Sequence, residues 1–169
     1  MRILGIDPGI AIVGWGIIDY AGIGTKCRPV AYGAITTGSD EKTEDRILTV
    51  YDEMTAVIAK YKPDCAAVEE LFFNTNQKTG IIVAEARGVL LLACRQAGLP
   101  IYEYTPLQIK QAVVGYGNAT KHQVQEMTKR LLHLQAMPKP DDAADAIAIA
   151  LCHARSSTSL LAQAQCQLK

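Results

Sequence analysis

MRILGIDPGIAIVGWGIIDYAGIGTKCRPVAYGAITTG, residues 1–38, holds three apolar runs close together. RILGID (2–7) ends at Pro8-Gly9, a strand running into a turn. IVGWGIIDY (12–20) and PVAYGAITTG (29–38) read as two more strands. The glycine-containing segments between them are short, as antiparallel hairpins require. Beyond residue 38 the pattern changes. TEDRILTVYDEMTAVIAKY (43–61) has apolar residues at 47, 50, 54, 57 and 58, a helical period, with Thr43 as the expected N-cap and acids behind it. Residues 65–68 read as a fourth strand, 71–76 as a loop, 77–97 as a long helix stopped by Gly98 and Pro100, and 100–104 as a fifth strand. Helices are expected over 106–113, over 121–134 capped by Thr120, and over 141–154 after the Pro138-Lys139-Pro140 break. Three early strands followed by alternating helices and strands imply an α/β fold. Its core is a mixed five-stranded sheet, the first three strands antiparallel, with helices on both faces.

The half of the long helix that reads GVLLLAC (88–94) is apolar nearly all round, so it is buried on more than one side. In a domain this small, one of those sides can be another subunit. Gly88 within it costs about 1 kcal/mol against Ala, which close helix packing would explain.

The acids stand out against this frame. Asp7 ends the first apolar strand, Glu69 follows the fourth, and Asp142 and Asp145 lie three apart at the start of the last helix, on one face. A carboxylate in a buried setting is costly unless paired or metal-bound. Four acids at the ends of core elements can converge at one rim of the sheet. They then form an oxygen-rich site of the kind that Mg²⁺ or Mn²⁺ prefers. Two such ions, ~4 Å apart, can activate water and stabilise the leaving oxygen in phosphodiester cleavage. The positive end of the helix dipole favours negative charge at Asp142, and Ala143 and Ala144 are small enough to let that helix approach the sheet. Taken singly, each acid has an ordinary explanation as a turn former, a helix cap or a solvated surface charge.

The segments GIDPG (5–9), AVEELF (67–72), KQAVVG (110–115) and DAADAIAIA (142–150) resemble, in the same order and separation, the motifs of RuvC-type Holliday junction resolvases. The likeness covers about residues 1–153. It implies a ribonuclease H-like fold over a single nuclease domain (1–155), followed by a poorly ordered tail (156–169). It also implies a homodimer that makes paired symmetric nicks in a four-way junction, leaving 5′-phosphate and 3′-hydroxyl ends, in recombination and DNA repair. Each subunit would use two Mg²⁺ ions, for which Mn²⁺ is expected to substitute. A branch-migration helicase complex of the RuvA and RuvB type is the implied partner. Carried over position by position, the catalytic and metal-binding acids fall on Asp7, Glu69, Asp142 and Asp145. Some relatives carry His at the position of Asp142, and Glu70 and Asp141 are neighbouring accessory candidates.

Lys110 and Lys121 match lysines that the family sets near DNA, and Lys121 follows Thr120 at a helix N-terminus that itself favours phosphate. Lys78 and Arg87 on the long helix are further DNA-binding candidates, though most surface cations are simply solvated. Phe72 and Phe73, the two phenylalanines of the chain, stand beside Glu69. Such an aromatic can stack on an unpaired base, and the resemblance favours Phe72. Asn76 is a candidate contact in the same loop. Gly14 and Gly16 read as points of close backbone approach, by DNA or another strand, or as a bulge. His122, His133 and His153 lack ligand spacing and are read as non-catalytic.

Seventeen basic side chains balance seventeen acidic ones in 169 residues. That balance neither demands nor excludes nucleic acid, because binding needs a basic patch and not a basic average. Five cysteines without a CxxC pair argue against a disulfide framework or zinc site. Cys65 and Cys94 read as buried small hydrophobes. With no signal-peptide pattern and no long apolar span, the expected location is the cytoplasm. Two other readings compete: a ribonuclease H-like nuclease acting on structured RNA, and a non-catalytic junction-binding module. Carboxylates facing phosphates weaken binding unless metal screens them, which argues against the second. An actin-like ATPase would need a second domain with its own phosphate loop.

Overall fold

The first apolar runs pair as the alternation of their side chains dictates. In the computed structural model, which describes residues 1–22, 26–71 and 77–157 (the side chains of 77–79 excepted), β1 (Arg2–Asp7), β2 (Ile12–Asp19) and β3 (Arg28–Thr36) form an antiparallel meander. β4 (Cys65–Glu69) and β5 (Ile101–Tyr104) add in parallel on the other side of β1. Among the described residues this is one five-stranded sheet of order β3-β2-β1-β4-β5, the ribonuclease H-like arrangement. The helices are α1 (Thr43–Tyr61), α2 (Gln77–Gln96), α3 (Pro106–Val114), α4 (Lys121–Leu131) and α5 (Asp141–Ser156).

Strand residues alternate between two cores. Leu4, Ile6, Val13 and Ile17 pack with Met54 of α1 and with Leu90 and Cys94 of α2. Ile3, Ile18, Cys65 and Ala67 pack on the opposite face with α3, α4 and α5 through Ile109, Val124 and Ile147. Each fully buried Leu or Ile contributes about 1.5–3 kcal/mol. Cys65 and Cys94 belong to these cores, where burial pushes both thiols up to about 12.

α5 lies closest to the sheet. Gly5 and Gly16 face each other across β1 and β2, and a Cβ on Gly5 would stand 1.9 Å from the Ala146 carbonyl oxygen. One on Gly16 would stand 2.6 Å from Ile147. Thus the glycines of β2 receive a helix of the same chain, not DNA or a further strand. On α5 itself Ala143, Ala144, Ala146 and Ala150 are fully buried and leave room for this contact.

Element boundaries shift at places with local causes. Lys42, not Thr43, occupies the N-cap of α1, without a side-chain cap, and Thr43 is already helical. In the turn before it, Glu41 accepts from the Gly38 N–H at 2.7 Å. α4 stops at Leu131, because His133 adopts φ 52° and Leu134 turns back to the Lys129 carbonyl. Thr105 and Thr120 both make complete capping boxes, with Gln108 and Gln123. α5 runs through Ser156, and residues 158–169 lie outside the described part of the chain. No described helix is long and apolar enough to cross a membrane.

Candidate active site

β1 and β4 are parallel neighbours, with Ile6 opposite Val68. Their next residues, Asp7 and Glu69, therefore stand side by side at the same rim. The period of two turns both side chains toward α5, as it turns Ile3 and Ala67. Asp7 in turn pairs with Gly14 of β2. A Cβ at Gly14 would stand 2.0 Å from the Asp142 carbonyl oxygen, so the missing side chain is what seats the first turn of α5 beside Asp7. Asp145 follows on the same helix face. Elements from both ends of the chain thus bring all four acids to one place.

The electrostatics record that proximity. Burial, then the charges of Glu69, Asp145 and Asp142, push the Asp7 carboxyl up to about 8. Burial and Asp145 also raise Glu69, offset by a side-chain hydrogen bond from Asp7. The Asp7 carboxyl is therefore biased toward its protonated form beside Glu69. Asp145 is raised by burial and opposed by Lys121, whose Nζ stands 2.8 Å from Asp145 Oδ2. Lys121 is raised in return by that hydrogen bond.

Lys110 on α3 and Lys121 at the start of α4 line a cavity of about 190 Å³ together with Glu69 and Asp145. Both lysines, expected from the resemblance to lie near DNA, therefore border the acid cluster. Arg87 lies elsewhere. Its Nε donates to the Glu69 carbonyl oxygen at 3.4 Å, and its guanidinium pairs with Glu103 of β5. The Lys78 side chain and residues Phe72, Phe73 and Asn76 lie outside the described part. The Glu70 N–H donates to the Tyr104 carbonyl at 2.9 Å, and Asp141 stands in the first turn of α5.

Two features of this rim had no sequence signal. Glu103 alternates with apolar residues in PIYEY and reads as an ordinary solvent-side strand residue. The buried His153 meets Tyr104 Oη at 2.7 Å through Nδ1 and lies against the Tyr102 ring at 4.2 Å. Burial lowers it to about 4, so it is neutral and structural.

The donor set suits a hard divalent cation: carboxylate oxygens only, one of them with its pKa raised to about 8. Among the described residues no group of three or more His, Cys, Asp or Glu side chains is already placed to hold a metal ion. A cation would replace the Asp7 proton and draw the oxygens together.

The family model for the crossover junction endodeoxyribonuclease RuvC matches residues 3–153. A relative from Finegoldia magna with that name is 58% identical over 153 residues, covering 90% of this chain and 92% of its own. One from Caldicellulosiruptor saccharolyticus is 53% identical over 163 residues, covering 96% and 98%. The structure of Thermus thermophilus RuvC in complex with Holliday junction substrate superposes with a TM-score of 0.88 at 35% identity, covering 94% of this chain and 95% of that one. The matched span runs from the first strand through α5 and so holds every element that carries an acid of the cluster: the chain belongs to the RuvC family of crossover junction endodeoxyribonucleases.

Proposed function

We propose that this chain is a Holliday junction resolvase that hydrolyses phosphodiester bonds of four-way junction DNA with divalent metal held by Asp7, Glu69, Asp142 and Asp145. One observation carries the reading: the Asp7 carboxyl is raised to about 8, first by burial and then by three neighbouring carboxylates, and a divalent cation would relieve that crowding of charge. The family membership and the junction bound in the Thermus thermophilus relative support the substrate. Mg²⁺ is the proposed ion, Mn²⁺ its substitute, with two ions per subunit during catalysis. When bound, such ions supply Lewis-acid polarisation of the phosphate and lower the pKa of water.

The chain's own residues do the rest. Lys110 and Lys121, on the two helices beside the cluster, hold phosphate oxygens of the strand being cut. Loss of the Asp7 proton converts the cluster from its resting form to its ligating form. The capping box at Thr120 fixes the start of α4 and so the root of Lys121. Phe72 or Phe73 stacks on a base at the crossover, and Asn76 and Lys78 extend that contact. The products carry 5′-phosphate and 3′-hydroxyl ends.

Paired nicks in opposing strands need two sites related by a two-fold axis, which a homodimer supplies. α2 offers a suitable face. Ile81 and Leu92 are 59% and 51% exposed, and Gly88 between them has nothing within 4 Å of where a Cβ would be. The spacing 81-85-88-92 is that of a helix-pairing seam, with Glu85 as its one charged member. A branch-migration helicase of the RuvA and RuvB type is the proposed partner at the junction.

The test is cleavage of a labelled mobile four-way junction beside a linear duplex of equal length, with Mg²⁺ and with EDTA. Mg²⁺-dependent symmetric nicks in the junction alone are expected. Binding without nicks across Mg²⁺, Mn²⁺ and several junction sequences would overturn the reading in favour of a binding module.

A further inference from the structure

Arg87 stands on the opposite side of the sheet from the acid cluster. It projects from α2, packed on the face where Val68 and Leu90 meet. The Glu69 carboxyl points the other way, toward α5. Yet Arg87 Nε reaches the Glu69 carbonyl oxygen at 3.4 Å, and the same guanidinium pairs with the Glu103 carboxylate. In the β4–β5 register Glu103 lies opposite Val68, and Glu69 opposite Tyr104. One planar group therefore ties together the last turns of both strands at the rim that carries the acids.

Position and chemistry combine here. Glu69 is the last residue of β4, so its main chain is braced less than that of a mid-strand residue. Its carboxylate is also repelled by that of Asp145. The Arg87 side chain is 18% exposed and that of Glu103 44%, so the hydrogen bond to Glu69 is partly desolvated while the ion pair opens to solvent. Nε and Nη2 of the guanidinium both have partners within the chain.

We propose that Arg87 is a positioning residue, paired with Glu103, which holds the main chain of Glu69 so that its carboxylate meets the metal at the rim. This rests on the proposed metal-binding role of the acids. It replaces the expectation that Arg87 contacts DNA. A lysine carries the same charge but lacks the planar fork that spans two acceptors, so Arg87→Lys separates the two roles. Glu103→Gln separates them again, because it frees the guanidinium for phosphate while removing half of the brace.

The test measures Mn²⁺ binding by electron paramagnetic resonance in the full chain without DNA. It is run beside junction affinity in EDTA, for wild type, Asp7→Asn, Arg87→Lys and Glu103→Gln. Arg87→Lys and Glu103→Gln should each weaken Mn²⁺ binding about tenfold, the usual cost of losing an outer-shell partner. Their junction affinity in EDTA should stay within about twofold of wild type, because in this role neither side chain neutralises a DNA phosphate. Unchanged Mn²⁺ affinity in both variants would overturn the proposal, as would junction binding that falls in Arg87→Lys and tightens in Glu103→Gln. If Arg87→Lys does not fold, by circular dichroism, Glu103→Gln decides alone. Equal Mn²⁺ binding by wild type and Asp7→Asn would instead remove the metal site itself. A clear wild-type to Asp7→Asn difference with the other two variants unchanged would overturn only the role of Arg87.

Discussion

Asp7→Asn should make the metal-free protein more stable, by an amount that grows with pH. The Asp7 carboxyl is raised from 3.8 to about 8 by burial and by the three acids around it. Between those values the folded chain keeps a proton that the unfolded chain has released. Stability therefore falls as pH rises through this window, being fully present below the unfolded value and lost once pH passes about 8. Each pH unit costs about 1.4 kcal/mol, so ionisation linked to Asp7 removes about 4 kcal/mol by pH 7. Asn does not ionise and can still donate to Glu69. Part of the gain is taken up by neighbours relaxing, leaving about 2–4 kcal/mol at pH 8, or roughly 5–10 °C in melting temperature for a domain this size. The assay is thermal unfolding by circular dichroism in EDTA at pH 5, 7 and 8. The difference between variant and wild type isolates Asp7 from every other titrating group. It should shrink by about 2–3 kcal/mol on going from pH 7 to pH 5. Adding Mg²⁺ should raise wild type more than the variant, because ligand binding to the folded state alone stabilises it. A variant that melts at or below wild type at pH 8, with a parallel pH profile, would refute the argument that crowding of the acids strains the folded state.

Three further outcomes follow from the packing and the charges. Gly5→Ala puts a Cβ 1.9 Å from the Ala146 carbonyl oxygen; main chain yields poorly, so denaturant unfolding should show a loss of about 3 kcal/mol or more, and an unchanged midpoint would mean that α5 is not seated as described. Lys121→Met should leave thermal stability within about 1 kcal/mol, because its ion pair with Asp145 is more than half exposed on the lysine side; the salt dependence of junction binding should lose about one unit of slope, and an unaltered slope would remove Lys121 from the DNA contact. His153 has its pKa lowered to about 4 by burial, so the unfolded chain takes up a proton first and stability drops as pH falls from about 6.5 toward 4. His153→Leu should abolish that acid-side loss while costing about 1–3 kcal/mol at pH 7 through the orphaned Tyr104 hydroxyl, as urea titrations at several pH values would reveal.

What the chain revealed unaided was local in origin. The strand and helix runs are legible because burial on one face imposes a period of 2 or 3.6 on apolar residues. The cap at Thr120 involves a neighbour three apart, and the carboxylates at element ends can be picked out one by one. Resemblance of four short segments then tied those acids into a set. Tertiary structure decided what no window of sequence contains. Asp7 and Asp145 belong together because Gly5, Gly14 and Gly16 let α5 settle onto β1 and β2, a contact between residues more than a hundred positions apart. The sequence reading expected DNA or a further strand at two of those glycines, since a missing side chain says that something comes close and not what. Arg87 reads from sequence as one more helix cation, yet a strand that arrives later in the chain supplies Glu103 and turns it inward. Periodicity reports which face a residue is on. The partner across that face, and with it the charge each acid can carry, is set by non-local packing and the desolvation that packing brings.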